Sequence, residues 1–345
     1  MISILIIIFI FFVVGVILFN VKEIKKYKKH IFYFTSLVLF CIAAFRGEGV
    51  DRDYLNYKDL FLDNNNAITI IEPSFLLIDA FVKLLSCNFV CLIFIYAFLG
   101  VSLKIIAIKQ LSEFWFISLF LYFCYSFTLH EMTQIRVGVA IGFVLISLKS
   151  LSERKIFYFL IFASLATFFH YSSLFVFLLL FINTKKINKW VWMSLIPISY
   201  LMFFLGFSIY NVFEFLPFDF LQNKLLNYAH ELDNGHLNVF NAWQMIRILY
   251  CVMLLLKIDI IVKRNEYSIL VIKLFVLSII ILPLLSNNYI LAVRISDILA
   301  ISEIIAVPYI FYIFPSNHIA RLIIIIMYGF SFFFLNIFYN GGIFN

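Results

Sequence analysis

The sequence predicts an all-α, polytopic integral membrane protein of about 12 transmembrane helices, since a crossing takes about 20 apolar residues. Composition is the first observation behind that fold class. The 345 residues are 64% hydrophobic and 13% charged, whereas soluble proteins hold about 45–50% apolar and about 25% charged residues. A mean hydropathy of +1.05 is the second. The third is pattern: apolar runs of roughly crossing length alternate with short polar or lysine-rich breaks. Together they leave room for one transmembrane domain over residues 1–345 and for no soluble module. The net charge of +7 therefore predicts cytoplasmic loops and no nucleic-acid partner.

Residues 1–19 form the first apolar run, with Lys22, Lys25, Lys26, Lys28 and Lys29 directly behind it. A cleaved signal peptide carries its charge in front, so a retained span with an external N-terminus is expected. A second span, 31–45, returns to the outer face. There it delivers the most polar stretch of the chain, with Arg46, Glu48, Asp51, Arg52, Asp53, Tyr54, Tyr57, Lys58, Asp59, Asp63 and Glu72 before Pro73. Residues 74–86 are too short to cross and carry Asp79 and Lys83 four apart, the mark of an interfacial helix. Residues 46–87 are thus expected as an extracytoplasmic loop plus that helix.

A span over 88–108 descends to Lys104 and Lys109 at the membrane boundary and one over 114–128 climbs back, so the turn HEMTQIR that follows, with His130, Glu131, Gln134 and Arg136, is outside, and a span over 135–149 leads down to Lys149 and Arg154. The run 156–183 has basic clusters on both flanks, which requires an even number of crossings. It is therefore split into two short helices meeting at His170. Spans over 190–210, 243–262, 267–286, 290–313 and 322–339 complete the chain. A second extracytoplasmic loop, 211–242, holds Glu214, Asp219, Lys224, His230, Glu231, Asp233 and His236. The five cysteines lie in or beside apolar runs without a ligand cluster, so neither a metal site nor a disulfide framework is expected.

On this topology lysine and arginine part company. Of 18 lysines only Lys58, Lys83 and Lys224 fall outside, against five of eight arginines: Arg46, Arg52, Arg136, Arg247 and Arg294. The positive-inside rule accounts for the lysines and opposes the arginines. Arginine's planar fork binds phosphate or carboxylate through paired hydrogen bonds, which lysine cannot reproduce. External arginines at a membrane boundary therefore suit an anionic headgroup, a diphosphate above all. The plain alternative pairs each with a neighbouring acid: Arg46 with Glu48, Arg136 with Glu131, Arg294 with Asp297. His170 at a helix break is either a satisfied structural residue or, with an ordinary pKa near 6.5, a general base.

Four stretches then resemble one family. They are Phe45-Arg46 with Gly49-Val50-Asp51-Arg52-Asp53-Tyr54-x-x-Tyr57 and Glu72-Pro73; Gln134-Ile135-Arg136-Val137-Gly138-Val139-Ala140; Phe169-His170-Tyr171-Ser172; and Arg294-Ile295-Ser296-Asp297. In order and in outer-face placement they resemble the EpsG family, which groups with the Wzy-type O-antigen and capsule polymerases. The first stretch departs from the family's Gly-x-Asp-Tyr by two inserted residues, so Asp51 and Asp53 stay alternatives. In the second, Gln134 precedes the arginine where the family often has glutamine after it.

The resemblance implies a GT-C-like architecture, like that of O-antigen ligases, in the cytoplasmic (inner) membrane, with the active site on its periplasmic or extracellular face. It implies a metal-independent, inverting glycosyltransferase without cofactors that joins undecaprenyl diphosphate-linked oligosaccharide repeat units. The lipid-linked oligosaccharide is donor and acceptor, and membrane lipid and a chain-length regulator are expected partners. Catalytic roles are expected for His170, Asp51, Asp53, Arg136 and Arg294. Substrate contacts are expected from Arg46, Arg52, Tyr54, Tyr57, Glu72, Glu131, Gln134, Tyr171, Arg247 and Asp297. A lipid-linked oligosaccharide flippase and a polysaccharide O-acetyltransferase are the alternatives. Alternating access normally leaves repeat symmetry and midplane charges, and these charges gather at one face.

Overall fold

The computed structural model describes residues 1–18, 26–62, 72–206, 237–314, 316 and 318–339, and every regular element among them is helical. Helices α1 (Ile2–Leu18) and α2 (Lys28–Ala44) lead to two short ones, α3 (Tyr54–Leu62) and α4 (Pro73–Leu84). Next come α5 (Phe89–Leu111), α6 (Trp115–Tyr122) with a π-helical continuation through Phe123–Thr133, α7 (Ile135–Ser152) and α8 (Ile156–Phe169) with a 3₁₀ run over Tyr171–Phe181. The series continues with α9 (Lys189–Phe204), α10 (Ala242–Leu256), α11 (Ile258–Val262), α12 (Ser268–Leu284) and α13 (Tyr289–Ala300). Last are α14 (Glu303–Ala306), α15 (Ile310–Ile313) and α16 (His318–Phe334) with a π-helical end, Leu335–Tyr339.

By length and composition, three helices can cross a membrane: Phe89–Leu111, Ile135–Ser152 and His318–Ile337. Six further apolar helices run to 10–17 residues. Asparagine starts several of them. The side chains of Asn88, Asn188, Asn241 and Asn288 each accept a hydrogen bond from a backbone N–H of the first turn, satisfying donors that no carbonyl of the helix can reach. Most of the expected second loop, including Glu214, Asp219, Lys224, His230, Glu231, Asp233 and His236, lies outside the described residues, as do Lys22, Lys25 and Asp63.

The chain divides into two compact units. In the first, Met1–Phe177 with Phe314–Asn345, α5 packs on α2 and α7, and α7 on α8. Small residues set these approaches: a Cβ at Gly142 would stand 2.7 Å from the Leu103 side chain. Elsewhere aromatic rings fill the unit, as where Phe12 stacks on Phe123 at 5.2 Å and Phe9 on Phe333 at 4.6 Å. In the second unit, Leu178–Ile313, α9, α10 and α13 all pack on α12.

Three elements depart from the sequence expectation. The polar stretch after span 2 contains a helix, α3, because Tyr54, Tyr57 and Phe61 fall on one face and bury against Phe75 and Phe89. The expected external turn HEMTQIR is sunk in the bundle, with His130 and Glu131 fully buried. Its reason is the π-helical stretch, which carries the chain five residues beyond the expected end at 128. The expected span 290–313 is broken into α13, α14, a 3₁₀ turn at Val307–Tyr309 and α15, where Pro308 removes a backbone donor.

Candidate active site

Pro73 at the first position of α4 forces extended backbone on the residue before it, and Glu72 has φ −64° and ψ 142°. Glu72 stands at the helix N-cap yet makes no capping bond. Its carboxylate reaches two other elements instead. One oxygen receives Arg136 Nη1 from the first turn of α7, and the other lies 2.8 Å from His170 Nδ1 at the end of α8. Three residues 64 and 98 positions apart in the chain thus meet on one carboxylate.

Local structure explains how each partner arrives. α8 stops at Phe169 because His170 is extended, φ −155° and ψ 119°, which turns the imidazole out of the helix and toward α4. Packing of α4 on both α5 and α8 brings Glu72 to it. Arg136 is aimed by the chain reversal at Gln134, φ −91° and ψ 63°. Its guanidinium lies over the rings of Tyr57, 5.5 Å from the centroid, and Phe75, 5.9 Å. Beneath it is an apolar cluster that includes Tyr57, Phe75, Tyr96, Ile135, Val139 and Phe169. Such a floor is dry, so charge-assisted hydrogen bonds, about 1.5–3 kcal/mol each, hold orientation well.

The site is partly open. The Arg136 side chain keeps 23% of its surface exposed, against 8% for Glu72 and 9% for His170. Burial alone would raise the Glu72 carboxyl. The His170 hydrogen bond, the Arg136 charge and the His170 charge outweigh that and hold it below the ordinary glutamate value. Burial and the neighbouring Asp51 raise the Asp53 carboxyl, against the opposing charges of Arg52 and Arg136. Burial raises the Tyr57 hydroxyl too, although Arg136 opposes it.

Asp51 and Asp53 are now distinguishable. Asp51 is buried and bound at 2.8 Å to Arg46 Nε, with neither side chain exposed, and it also accepts the Asp53 backbone N–H. Asp53 is half-buried and close enough to Arg136 to feel its charge. Arg46 also donates to the Ala43 carbonyl at 2.7 Å, closing the α2 end. Its acid is Asp51, not Glu48, which pairs with Lys58. Arg52 is exposed. Tyr54 is buried edge-on against Phe89, so its ring offers no free stacking face there. Tyr171 is half-buried beside the His170 break.

Glu131 takes a place the sequence reading did not foresee. It is 1% exposed and ion-paired with Lys104 of α5, while the acid on Arg136 is Glu72. Gln134 is half-buried at the chain reversal. Sequence reasoning missed both Lys104, taken as a membrane-boundary lysine, and Tyr96. A polar residue deep in an apolar run was the available signal for Lys104.

In the second unit, Arg247 is buried in a knot of its own. Its Nε donates to Glu303 at 2.8 Å, Nη1 to Gln244 at 2.9 Å and Nη2 to Ser278 at 2.7 Å. The guanidinium is thus held by three protein side chains, and Glu303 is a partner the sequence reading missed. Arg294 and Asp297 are half-buried on α13 of the same unit. Among the described residues, no three His, Cys, Asp or Glu side chains come together as a metal site would require.

A protein-family model described as the EpsG family matches residues 29–345. No curated protein and no solved structure matches.

Proposed function

Because the chain belongs to the EpsG family, we propose that it is a polysaccharide polymerase, a glycosyltransferase that joins undecaprenyl diphosphate-linked oligosaccharide repeat units. The reaction takes place at the outer face of the cytoplasmic membrane, without a metal and with inversion. One observation carries the assignment of residues: a single carboxylate, Glu72, holds a reachable arginine and a histidine at one place.

The chemistry needs two things from the protein. A hydroxyl of the acceptor sugar attacks the anomeric carbon of the donor, the anomeric C–O bond to the diphosphate breaks, and the hydroxyl proton must go to a base. His170 suits that task. With Nδ1–H directed at Glu72, Nε2 carries the lone pair, the arrangement by which a carboxylate fixes the tautomer of a catalytic imidazole. The departing diphosphate needs a preorganised cation. Arg136 supplies it, anchored by one nitrogen to Glu72 and keeping further N–H donors of its fork for phosphate oxygens. Asp53, on the same side, is the second candidate base, Tyr171 borders the sugar, and Tyr57, buried beneath the guanidinium, supports Arg136.

Polymer length on a gel tests the class. Loss of a polymerase leaves a single capped repeat unit, loss of a flippase leaves none, and loss of an acetyltransferase leaves full length. In cells lacking the wild-type gene, Arg136→Lys and, separately, Arg294→Lys should leave single units while the protein still inserts. Full-length polymer in both variants would contradict the assignment.

A further inference from the structure

A second ionic cluster of the first unit lies outside the proposed active site. Lys104 Nζ donates both to the Glu131 carboxylate and, at 2.6 Å, to the Gly138 carbonyl, with the lysine side chain wholly buried. Glu131 belongs to the π-helical stretch and Gly138 to α7, so a single ammonium group bridges the two sides of the reversal at Gln134. Arg136 lies inside that bridge. The fit is close on every side. A Cβ at Gly100 would stand 2.0 Å from Glu131 Oε2, and one at Gly138 2.5 Å from the His130 carbonyl oxygen and 3.1 Å from the same carboxylate oxygen. Gly100 is about 16 Å along α5 from its first residue, at 1.5 Å per residue, a depth at which a plain hydrophobic contact would meet the needs of stability.

We propose that Lys104 and Glu131 are positioning residues: their ion pair, clasping the Gly138 carbonyl, fixes the chain reversal that aims Arg136 at Glu72. Buried ion pairs are weak contributors to stability compared with apolar packing of the same shape, and their best-attested use is to fix one geometry among several. Here the geometry is that of the π-helix to α7 junction. α5 supplies the lysine, and the two glycines admit the carboxylate. The Lys104 charge touches no substrate and acts through Arg136 alone. The effect on turnover rests on the polymerase reading above; the effect on Arg136 does not.

The test uses the full chain in lipid bilayers with ¹⁵N-labelled arginine, the Arg136 guanidinium signals being assigned by their loss in Arg136→Lys. Lys104→Met/Glu131→Gln removes both charges and keeps volume. The expected result is that the Arg136 signals leave their ion-paired positions and broaden, while the unfolding midpoint stays near that of the wild type. Polymer formation should fall at least tenfold, in kcat more than in KM. Unmoved Arg136 signals in the double variant would overturn the proposal whatever the polymer does. If the double variant does not accumulate, Glu131→Gln alone, which keeps an acceptor for Lys104, must shift the same signals or the proposal fails. Absence of polymer from the wild type would count against the polymerase reading and leave the NMR result standing.

Discussion

Glu72 is the central residue of the site, because both Arg136 and His170 contact its carboxylate. Glu72→Gln keeps the shape but removes the charge, so His170 loses its orienting partner, and turnover should fall by about 10²-fold or more, the usual worth of positioned acid–base catalysis. His170→Gln should fall at least as far, measured as chain growth per folded protein. The pH behaviour carries a sign. Glu72 is held below the ordinary glutamate value, so its contribution to stability is fully present above about pH 4.3 and is lost as pH falls through the folded value. Asp53 is shifted upward, so stability should instead decline as pH rises above the ordinary aspartate value, and Asp53→Asn should remove that decline in thermal melts. At this scale residue types were legible and pairings were not. Arginine expected outside the membrane, against the positive-inside rule, pointed to Arg136. Nothing local in the sequence says that its acid is Glu72 and not Glu131, five residues away, because the choice is made by how α4 docks.

Helix existence was readable from apolar runs, and helix ends were not always. The break at His170 was legible, since Phe169-His170-Tyr171-Ser172-Ser173 interrupts an apolar run. α3 was hidden because the Tyr54, Tyr57 and Phe61 stripe that buries it is short and sits in the most polar stretch of the chain. The π-helical stretch was hidden for another reason: extra residues in a turn leave composition unchanged. Close approach of these elements sets testable limits. Gly100→Ala and Gly138→Ala should each destabilise by about 1–3 kcal/mol or more through overpacking, whereas Gly47→Ala, with nothing within 4 Å of the added carbon, should change little. In the second unit, Arg247→Met leaves Glu303 buried without its guanidinium and should cost about 3–5 kcal/mol. Arg247→Met/Glu303→Leu should recover most of it. Unfolding midpoints in detergent check both sets.

For the whole molecule, composition is decisive about solvent and the family match about ancestry, while neither says which helices cross. The motifs that carry the resemblance run from about 45 to 310, and the family model extends over 29–345. Of those motifs, the first three converge on one site within the first unit, at Asp53, Glu72, Arg136 and His170. The fourth, Arg294 and Asp297, belongs to the second unit. The apolar body of the chain was therefore plain in the sequence, since hydrophobic pattern is local. Convergence of distant polar residues was only suggested by their shared side, since it depends on packing of α4 against α5 and α8. The central claim is that this chain extends a lipid-linked sugar polymer with arginine and histidine in place of a metal. Purified protein incubated with defined undecaprenyl diphosphate-linked repeat units, with and without chelator, tests it most directly. The expected result is a ladder of lengthening products that chelator leaves intact and that Arg136→Lys abolishes; no chain growth, or growth that chelator stops, would contradict that claim.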